Sequence, residues 1–329
     1  MSQFMNTLGF PILLFLVGFA CLIKGGDWFV DGASGLAHRL HIPELIIGAT
    51  VVAIGTTLPE VMVSATAAVQ GQSETAYGNA IGSIICNTAL ISALTFAIRP
   101  TTVDGKSFRG PVLFYFAAAA FYCIISYTTG YFSRWCGFVL LAGFVFYMIY
   151  TVVKGRKAGM AAASEEEETA DEMPLWKELL LLVIGAALIA VGAKLLVDNG
   201  TKIASAIGVP ESVIALTFVA LGTSLPELVT AVTALVKGHS ALSLGNIVGA
   251  NLFNLVFVSG MAITLRPFSI PASKTIAGMN ASLVVDLPLM VFVMAFMTIP
   301  ALVTGKLKRW QGITLLTIYA AYCVFQFVL

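Results

Sequence analysis

Long apolar runs, interrupted by short polar stretches, follow one another along almost the whole chain. Each run has about 20 or more mostly apolar residues, the length that a helix needs to cross the hydrocarbon core of a bilayer. The apolar residues are continuous instead of alternating with polar ones, so the pattern favours transmembrane helices over the strands of a β-barrel. It predicts ten helices, near residues 9–30, 43–70, 76–98, 111–130, 132–153, 176–197, 210–236, 241–265, 277–300 and 309–329.

The composition indicates that this chain is surrounded by lipid. Of its 329 residues, 58% are hydrophobic and 11% are charged, whereas a soluble domain has about 25% charged residues. The net charge of +1 offers no concentrated basic surface to nucleic acid. The five cysteines lack metal-ligand spacing and are interpreted as buried free thiols. The composition predicts an integral membrane protein and argues against soluble enzymes and nucleic-acid partners.

The basic residues predict the orientation of the helices. The first run has neither a basic segment before it nor a cleavage site, so we expect it to be a retained helix. Lys and Arg are enriched in cytoplasmic loops, which predicts that both termini lie outside the cell. In that orientation the outer loops contain four such residues (Arg134, Lys202, Arg266, Lys274), and the inner loops contain twelve (Arg39, Arg99, Lys106, Arg109, Lys154, Arg156, Lys157, Lys177, Lys237, Lys306, Lys308, Arg309).

One long polar stretch, residues 154–175, divides the chain into two blocks of five helices, 1–153 and 176–329. It contains the acidic run SEEEETADE, from Ser164 to Glu172. Such a run is typical of a solvated, flexible segment. We therefore interpret this stretch as a cytoplasmic linker, with a cation sensor as the alternative.

The two blocks contain an internal repeat. Residues 25–87 match residues 192–254 at a constant offset of 167, without a gap, and 20 of the 45 positions from Pro43 to Asn87 are identical. Five helices separate the copies, so the copies enter the membrane from opposite sides. Inverted repeats of this kind are typical of transporters, whose substrate sites lie near the midplane between the two halves. The predicted fold is an all-α integral membrane protein with ten transmembrane helices arranged as two inverted five-helix repeats.

The repeated segments GTTLPE and GTSLPE place Glu60 and Glu227 deep within apolar runs. A carboxylate at that depth is costly unless it is protonated, paired or facing water or an ion, and neither span supplies a basic partner nearby. Two such carboxylates facing each other repel when both are ionised. One divalent cation, two monovalent cations or protons would neutralise them, which is the central requirement of an exchange site.

Oxygen atoms surround each of these glutamates in the sequence. Thr56 and Thr223 come one helical turn earlier, on the same face. The prolines before the glutamates each remove a backbone donor and leave a carbonyl four residues earlier free to bind a cation. Ala53 and Ala220 fall on the same stripe and can contribute only their backbone carbonyls. Carboxylate, hydroxyl and carbonyl oxygens suit hard cations such as Ca²⁺ or Na⁺.

A second repeated pair of motifs, GNAIGSIICN and GNIVGANLFN, follows each glutamate motif. Their glycines form small-xxx-small ridges that allow helices to approach closely. Ser83 and Asn87 lie one turn apart on one face, and Ala250 and Asn254 occupy the matching positions.

Together these four motifs resemble the two α-repeats of the Ca²⁺/cation antiporter superfamily, and most closely its prokaryotic sodium/calcium exchanger branch. The resemblance implies a secondary antiporter of the cell membrane that exchanges Ca²⁺ for Na⁺ by alternating access. It implies neither a cofactor nor an obligate protein partner. The implied Ca²⁺ ligands are Glu60, Glu227 and the carbonyls of Thr56 and Thr223. The implied Na⁺ ligands are Ala53, Thr57 and Ser83 in one repeat and Ala220 and Ser224 in the other, while Asn87 and Asn254 line the centre.

Two departures from the family pattern bear on the counter-ion. Ala250 stands where relatives often have Ser, so one hydroxyl of a sodium site is missing, and Asn254 stands where some relatives have Asp. The site then carries two formal negative charges, and an H⁺/Ca²⁺ antiporter that uses the same glutamates is the alternative.

Two other functional classes are less well supported. An inverted repeat favours an alternating-access transporter over a passive channel. An enzyme is not expected, since motifs such as HExxH and GxSxG are absent from the sequence.

Asp286 is the third acidic residue predicted within a span. Its repeat mate at the same offset is Ala119, so it does not belong to the symmetric site. Pro288 follows it closely, which predicts a local break in the helix, snorkelling of the acidic side chain or a hydrogen bond to a neighbour.

Overall fold

The computed structural model describes the backbone of residues 2–162, 173–208 and 222–328, and the side chains of residues 8–155, 173–208 and 222–326. Ten helices can be followed within these ranges, and they confirm the predicted all-α membrane fold. They are α1 Ser2–Arg39, α2 Glu44–Val69, α3 Ser73–Ile98, α4 Gly105–Thr128, α5 Arg134–Ala162, α6 Leu175–Ala206, α7 Leu225–Lys237, α8 Ser240–Leu265, α9 Ser282–Thr304 and α10 Arg309–Val328.

Eight of these helices, α1 to α6 with α8 and α9, are long and apolar enough to cross a membrane. Several extend beyond the predicted spans, because a helix can continue past the hydrocarbon layer into the polar interface. Helix α5 reaches Ala162, inside the stretch predicted as linker. Lys154, the first residue of that stretch, is attached to α4, because its Nζ donates to the carbonyl of Lys106, 2.9 Å away. The acidic run of the predicted linker lies entirely outside the described residues.

Helices α1 and α6 are the two longest apolar helices, and they pack against each other through a seam of glycines. Gly18 and Gly25 of α1 face Gly192 and Gly185 of α6, in antiparallel order. A Cβ atom added to Gly25 would lie 2.9 Å from the carbonyl oxygen of Gly185. These glycines are therefore required for the close approach of the two backbones. At one end of the pair, an ion pair between Arg39 Nε and Glu178 Oε2, 2.9 Å apart, joins the helices again.

Helices α2, α3, α7 and α8 form the interior of the molecule. The motif glycines of α8 lie directly on the first turns of α2, where a Cβ at Gly249 would approach the Cα of Ala49 to 2.6 Å. No described atom lies within 4 Å of a Cβ built at Gly78 or Gly82. The repeat would pair these two glycines with the start of the seventh span, which lies outside the described residues.

Short antiparallel strand pairs fix which loops share a side. In the α3–α4 loop, β1 (Thr101–Thr102) pairs with β6 (Lys306–Leu307) of the α9–α10 loop. In the α4–α5 loop, β2 (Tyr131–Phe132) pairs with β3 (Phe268–Ser269) of the α8–α9 loop. The first pair joins loops predicted on the inner side, and the second pair joins loops predicted on the outer side. A hairpin of β4 (Thr275–Ile276) and β5 (Met279–Asn280) precedes α9.

Candidate ion-binding site

Three helices contain a π-helical stretch close to the predicted site residues. The stretches are Gly48–Val52 in α2, Asn87–Ser92 in α3 and Asn254–Val258 in α8. The last two begin at the repeated asparagines, so the backbone distortion is itself repeated. A π-helical turn leaves backbone groups without their usual partners and is frequent at functional sites.

The backbone around the two prolines differs between the repeats. Helix α2 continues through Pro59, as expected when a single backbone hydrogen bond is lost. In the second repeat, residues 222–224 form a turn and α7 begins at Leu225, directly before Pro226. Glu227 therefore lies in the first turn of α7.

Glu60 and Glu227 lie in the interior, and both side chains are fully buried. The two carboxylates are close enough to repel each other. Thr56 and Thr57 of the first repeat lie beside Glu227, but none of the four carboxylate oxygens has a hydrogen-bond partner among the described residues. Burying an ionised carboxylate without a partner costs several kcal/mol, so this arrangement requires a cation or a proton.

Unpartnered polar atoms are concentrated on the predicted site residues. The described side chains include 17 buried nitrogen or oxygen atoms without a hydrogen-bond partner, whereas native proteins leave few such atoms. Nine of the 17 belong to six predicted residues: Thr57, Glu60, Asn87, Ser224, Glu227 and Asn254. Most of these atoms are oxygens, the ligand type that Ca²⁺ and Na⁺ prefer.

The remaining predicted residues occupy different surroundings. Ala53 is fully buried and its carbonyl lies 3.4 Å from the Thr56 hydroxyl. Ser83 is almost fully buried in α3. The Asn254 amide donates to the carbonyl of Ala250, 3.0 Å away and one turn earlier in α8. The predicted ligand Ala220 lies outside the described residues.

Two hydrogen bonds connect the repeats across the site. The Thr56 hydroxyl donates to Asn246 Oδ1 at 3.1 Å, and the Thr223 hydroxyl donates to Asn79 Oδ1 at 3.2 Å. The offset of 167 relates the members of one pair to those of the other. Sequence reasoning did not select Asn79 and Asn246 as site residues. Their identity in both repeats, directly after a repeated glycine, is the signal that could have selected them.

Comparison with known proteins decides the family. The family model for sodium/calcium exchanger protein matches residues 10–153 and 177–328. The chain belongs to this family. It is 37% identical over 259 residues to the inner membrane protein YrbG of Escherichia coli, and this alignment covers 77% of this chain and 79% of that protein. It is 29% identical over 359 residues to the sodium/calcium exchanger MaX1 of Methanosarcina acetivorans, in an alignment that covers 98% of this chain and 99% of that one.

The fold agrees with a solved exchanger. The structure of the sodium-calcium exchanger NCX_Mj, soaked with Na⁺ and Sr²⁺, matches with a TM-score of 0.79 and 33% sequence identity over 95% of this chain and 98% of that chain. The protein is therefore a multi-pass membrane antiporter that exchanges calcium and other cations, and it is not an enzyme.

In this exchanger a cavity of about 1430 Å³ reaches the motifs from one side. Its lining includes Asn79, Ser83 and Thr223 of the motifs, Asp198 of α6 and Lys274 of the α8–α9 loop. The cavity thus extends from the motifs toward the side that bears the α8–α9 loop.

On the other side of the exchanger, polar contacts join α1, α2, α7 and the α7–α8 loop. Lys237 Nζ, at the end of α7, lies 2.8 Å from Asp31 Oδ1 of α1. His239 Nδ1, in the α7–α8 loop, lies 2.6 Å from Glu44 Oε1 at the start of α2. The repeat mate of Lys237 is the neutral Gln70, so the same ion pair has no counterpart at the cavity side.

Asp286 lies in a π-helical stretch at the start of α9, as the nearby proline suggested. Its Oδ1 accepts hydrogen bonds from the Tyr322 hydroxyl at 3.1 Å and from the Gln326 amide at 3.2 Å, both in α10. These bonds attach α10 to α9 and account for an acidic residue outside the symmetric site.

Proposed function

We propose that this protein exchanges Ca²⁺ for Na⁺ by alternating access at one central site built around Glu60 and Glu227. The observation that carries the proposal is the burial of these two carboxylates, close together and without partners among the described residues. One Ca²⁺ or two Na⁺ would cancel their charge. Both ions are substrates in this scheme, and neither is a resident cofactor.

The proposed Ca²⁺ ligands are the carboxylates of Glu60 and Glu227 with the backbone carbonyls of Thr56 and Thr223. The carboxylates come from one helix of each repeat, so an ion between them joins the two halves. An all-oxygen set of this kind is what Ca²⁺ requires.

The proposed Na⁺ sites flank the Ca²⁺ position. The hydroxyls of Thr57 and Ser224, which have no partner among the described residues, support this placement. The full proposed set comprises Ala53, Thr57 and Ser83 from the first repeat and Ala220 and Ser224 from the second, with Asn87 and Asn254 lining the centre.

For the transport step, we take α1 and α6 as the moving unit, because their glycine seam joins them more closely to each other than ordinary side chains allow. They slide over α2, α3, α7 and α8 when the site is neutral. An empty site with two ionised carboxylates resists this movement, since it would expose unpaired charge to an apolar surface. Exchange is then favoured over leak.

The proposed orientation has both termini outside a prokaryotic cell membrane, with residues 1–153 and 176–329 as the two halves and 154–175 as a cytoplasmic linker. The excess of Lys and Arg in the inner loops supports it. In this orientation the cavity faces outward and the contacts between Lys237 and Asp31 close the inner side.

Protons are the alternative counter-ion, and Ala250 is the residue that favours them. It is fully buried and provides no hydroxyl where its repeat mate Ser83 has one. A sodium site at that position would have one ligand fewer, whereas protonation of Glu60 and Glu227 requires no such ligand.

Calcium uptake into reconstituted vesicles tests the function. We expect uptake driven by an outward Na⁺ gradient, and a loss of at least about a hundredfold in Glu60→Gln and in Glu227→Gln, because a single remaining carboxylate cannot neutralise Ca²⁺. Glu74→Gln, on an exposed turn at the start of α3, is the matched control and is expected to transport normally.

The same vesicles distinguish the two counter-ions. Uptake that occurs only with a proton gradient in the absence of Na⁺ would contradict sodium exchange and favour protons. Normal transport by either glutamine variant would contradict the assigned site itself.

A further inference from the structure

The two hydrogen bonds that cross the site are reciprocal. Thr56 of the first repeat bonds to Asn246 of the second, and Thr223 of the second bonds to Asn79 of the first. Each asparagine therefore contacts the glutamate motif of the other repeat with its side-chain oxygen. Packing within one repeat would not require such an exchange of partners.

These bonds determine where the threonine hydrogens point. A hydroxyl has one hydrogen, and the Thr56 hydroxyl lies beside both the Asn246 amide and the Glu227 carboxylate. By accepting that hydrogen, Asn246 Oδ1 directs the Thr56 hydroxyl away from the Glu227 carboxylate. The carboxylate then stays available to bind a cation.

Asn79 also holds the backbone of its own glutamate helix. Its Nδ2 donates to the carbonyl of Glu60 at 3.1 Å and to the Ser64 hydroxyl at 2.8 Å. Its side chain thus connects Glu60 in α2 with Thr223 in the other repeat.

We propose that Asn79 and Asn246 are positioning residues that hold the ion-binding threonine of the opposite repeat and so couple the two halves of the site. This inference rests on the proposed role of Thr56 and Thr223 as ligands through their backbone carbonyls. Fixing each threonine side chain fixes the rotation of the residue whose carbonyl faces the ion. A shift of one motif is transmitted to the other by the crossed bonds.

Double-mutant cycles on Ca²⁺ transport test this coupling, because they separate a direct interaction from two independent effects. The crossed cycles combine Thr56→Val with Asn246→Leu, and Thr223→Val with Asn79→Leu. Each single variant is expected to raise the KM for Ca²⁺ about fivefold with a smaller change in kcat. Each crossed double variant is expected to be no worse than its poorer single variant.

The comparison cycle combines Thr56→Val with Asn79→Leu, two residues of the same repeat that share no hydrogen bond in the structure. Their effects on KM are expected to multiply to about 25-fold. Thr56→Ser retains the hydroxyl and is expected to keep the KM within about twofold of the unmodified protein. Thr50→Val is a buried control in the same helix, because the Thr50 hydroxyl bonds to Ile46 of its own helix at 2.8 Å.

Calcium binding to detergent-purified protein, measured by titration on the same variants, provides a readout that does not depend on the counter-ion. Crossed cycles that multiply like the same-repeat cycle would overturn the inference, even if sodium-driven transport is present. Proton-driven transport with coupled crossed cycles would overturn the sodium assignment and leave the positioning role supported. Misfolding of a variant lowers the amount of protein that binds Ca²⁺, but it does not change the affinity of the protein that remains folded.

Discussion

At the residue scale, the site is a small group of buried side chains, many of whose polar atoms lack partners among the described residues. The glutamates could be predicted from sequence because charge is rare inside apolar runs. Asn79 and Asn246 could not be assigned a role, because the sequence shows that they repeat but not which copy they contact. Only the fold brings Asn246 to Thr56.

One difference between the repeats leads to a stabilising substitution. Asn79 Nδ2 donates to Ser64, but the repeat mate of Ser64 is Ala231, and Asn246 Nδ2 is buried without a partner among the described residues. An unsatisfied buried donor costs about 1–3 kcal/mol. We expect Ala231→Ser to supply the missing acceptor and to raise the Tm in detergent by about 3 °C, as measured by thermal unfolding.

The matched control for this substitution is Ala234→Ser, at a fully buried alanine one turn further along α7. It adds the same hydroxyl away from Asn246 and is expected to leave the Tm unchanged or lower it. A lower Tm in Ala231→Ser than in the unmodified protein would contradict the assigned hydrogen-bond pattern.

At the element scale, the predicted spans match the ten helices of the described residues in number and order, but their ends differ from those of the helices. The hydrophobic pattern reports the part of a helix that lies in hydrocarbon, and α1 runs from Ser2 to Arg39 around the predicted 9–30. The sequence did not predict the glycine seam between α1 and α6, because the packing role of glycines seven residues apart becomes apparent only when the facing helix is known. The π-helical turns at Asn87 and Asn254 also leave no periodic signal in the sequence.

The seam makes a prediction about transport. Gly25→Val introduces a side chain where even a Cβ would lie 2.9 Å from the backbone of Gly185, so α1 and α6 must separate. We expect vesicle transport to fall at least about tenfold. Gly9→Val, in the same helix with no described atom within 4 Å of the added Cβ, is expected to transport normally. Equal transport by the two variants would show that the close packing of α1 on α6 is unnecessary.

At the scale of the whole molecule, the inverted repeat gives two similar halves with different surroundings. Thr223 and Asn79 line the cavity, whereas Thr56 and Asn246 are buried. The two repeats followed from identical polar residues at one offset and the fold class from these repeats and the apolar runs, while the exchanger family followed from the resemblance of the four motifs to known α-repeats. The side on which the cavity opens depends on the packing of all ten helices and had no signal in any single motif.

The central claim is that Ca²⁺ and Na⁺ compete for one site formed by Glu60 and Glu227. Titration of purified protein with Ca²⁺ at a series of Na⁺ concentrations, at constant ionic strength, tests it most directly. We expect one Ca²⁺ per chain, an apparent Kd that rises steadily with Na⁺, and no measurable binding in Glu60→Gln or Glu227→Gln. A Kd that does not respond to Na⁺, or binding that survives in both variants, would contradict the account.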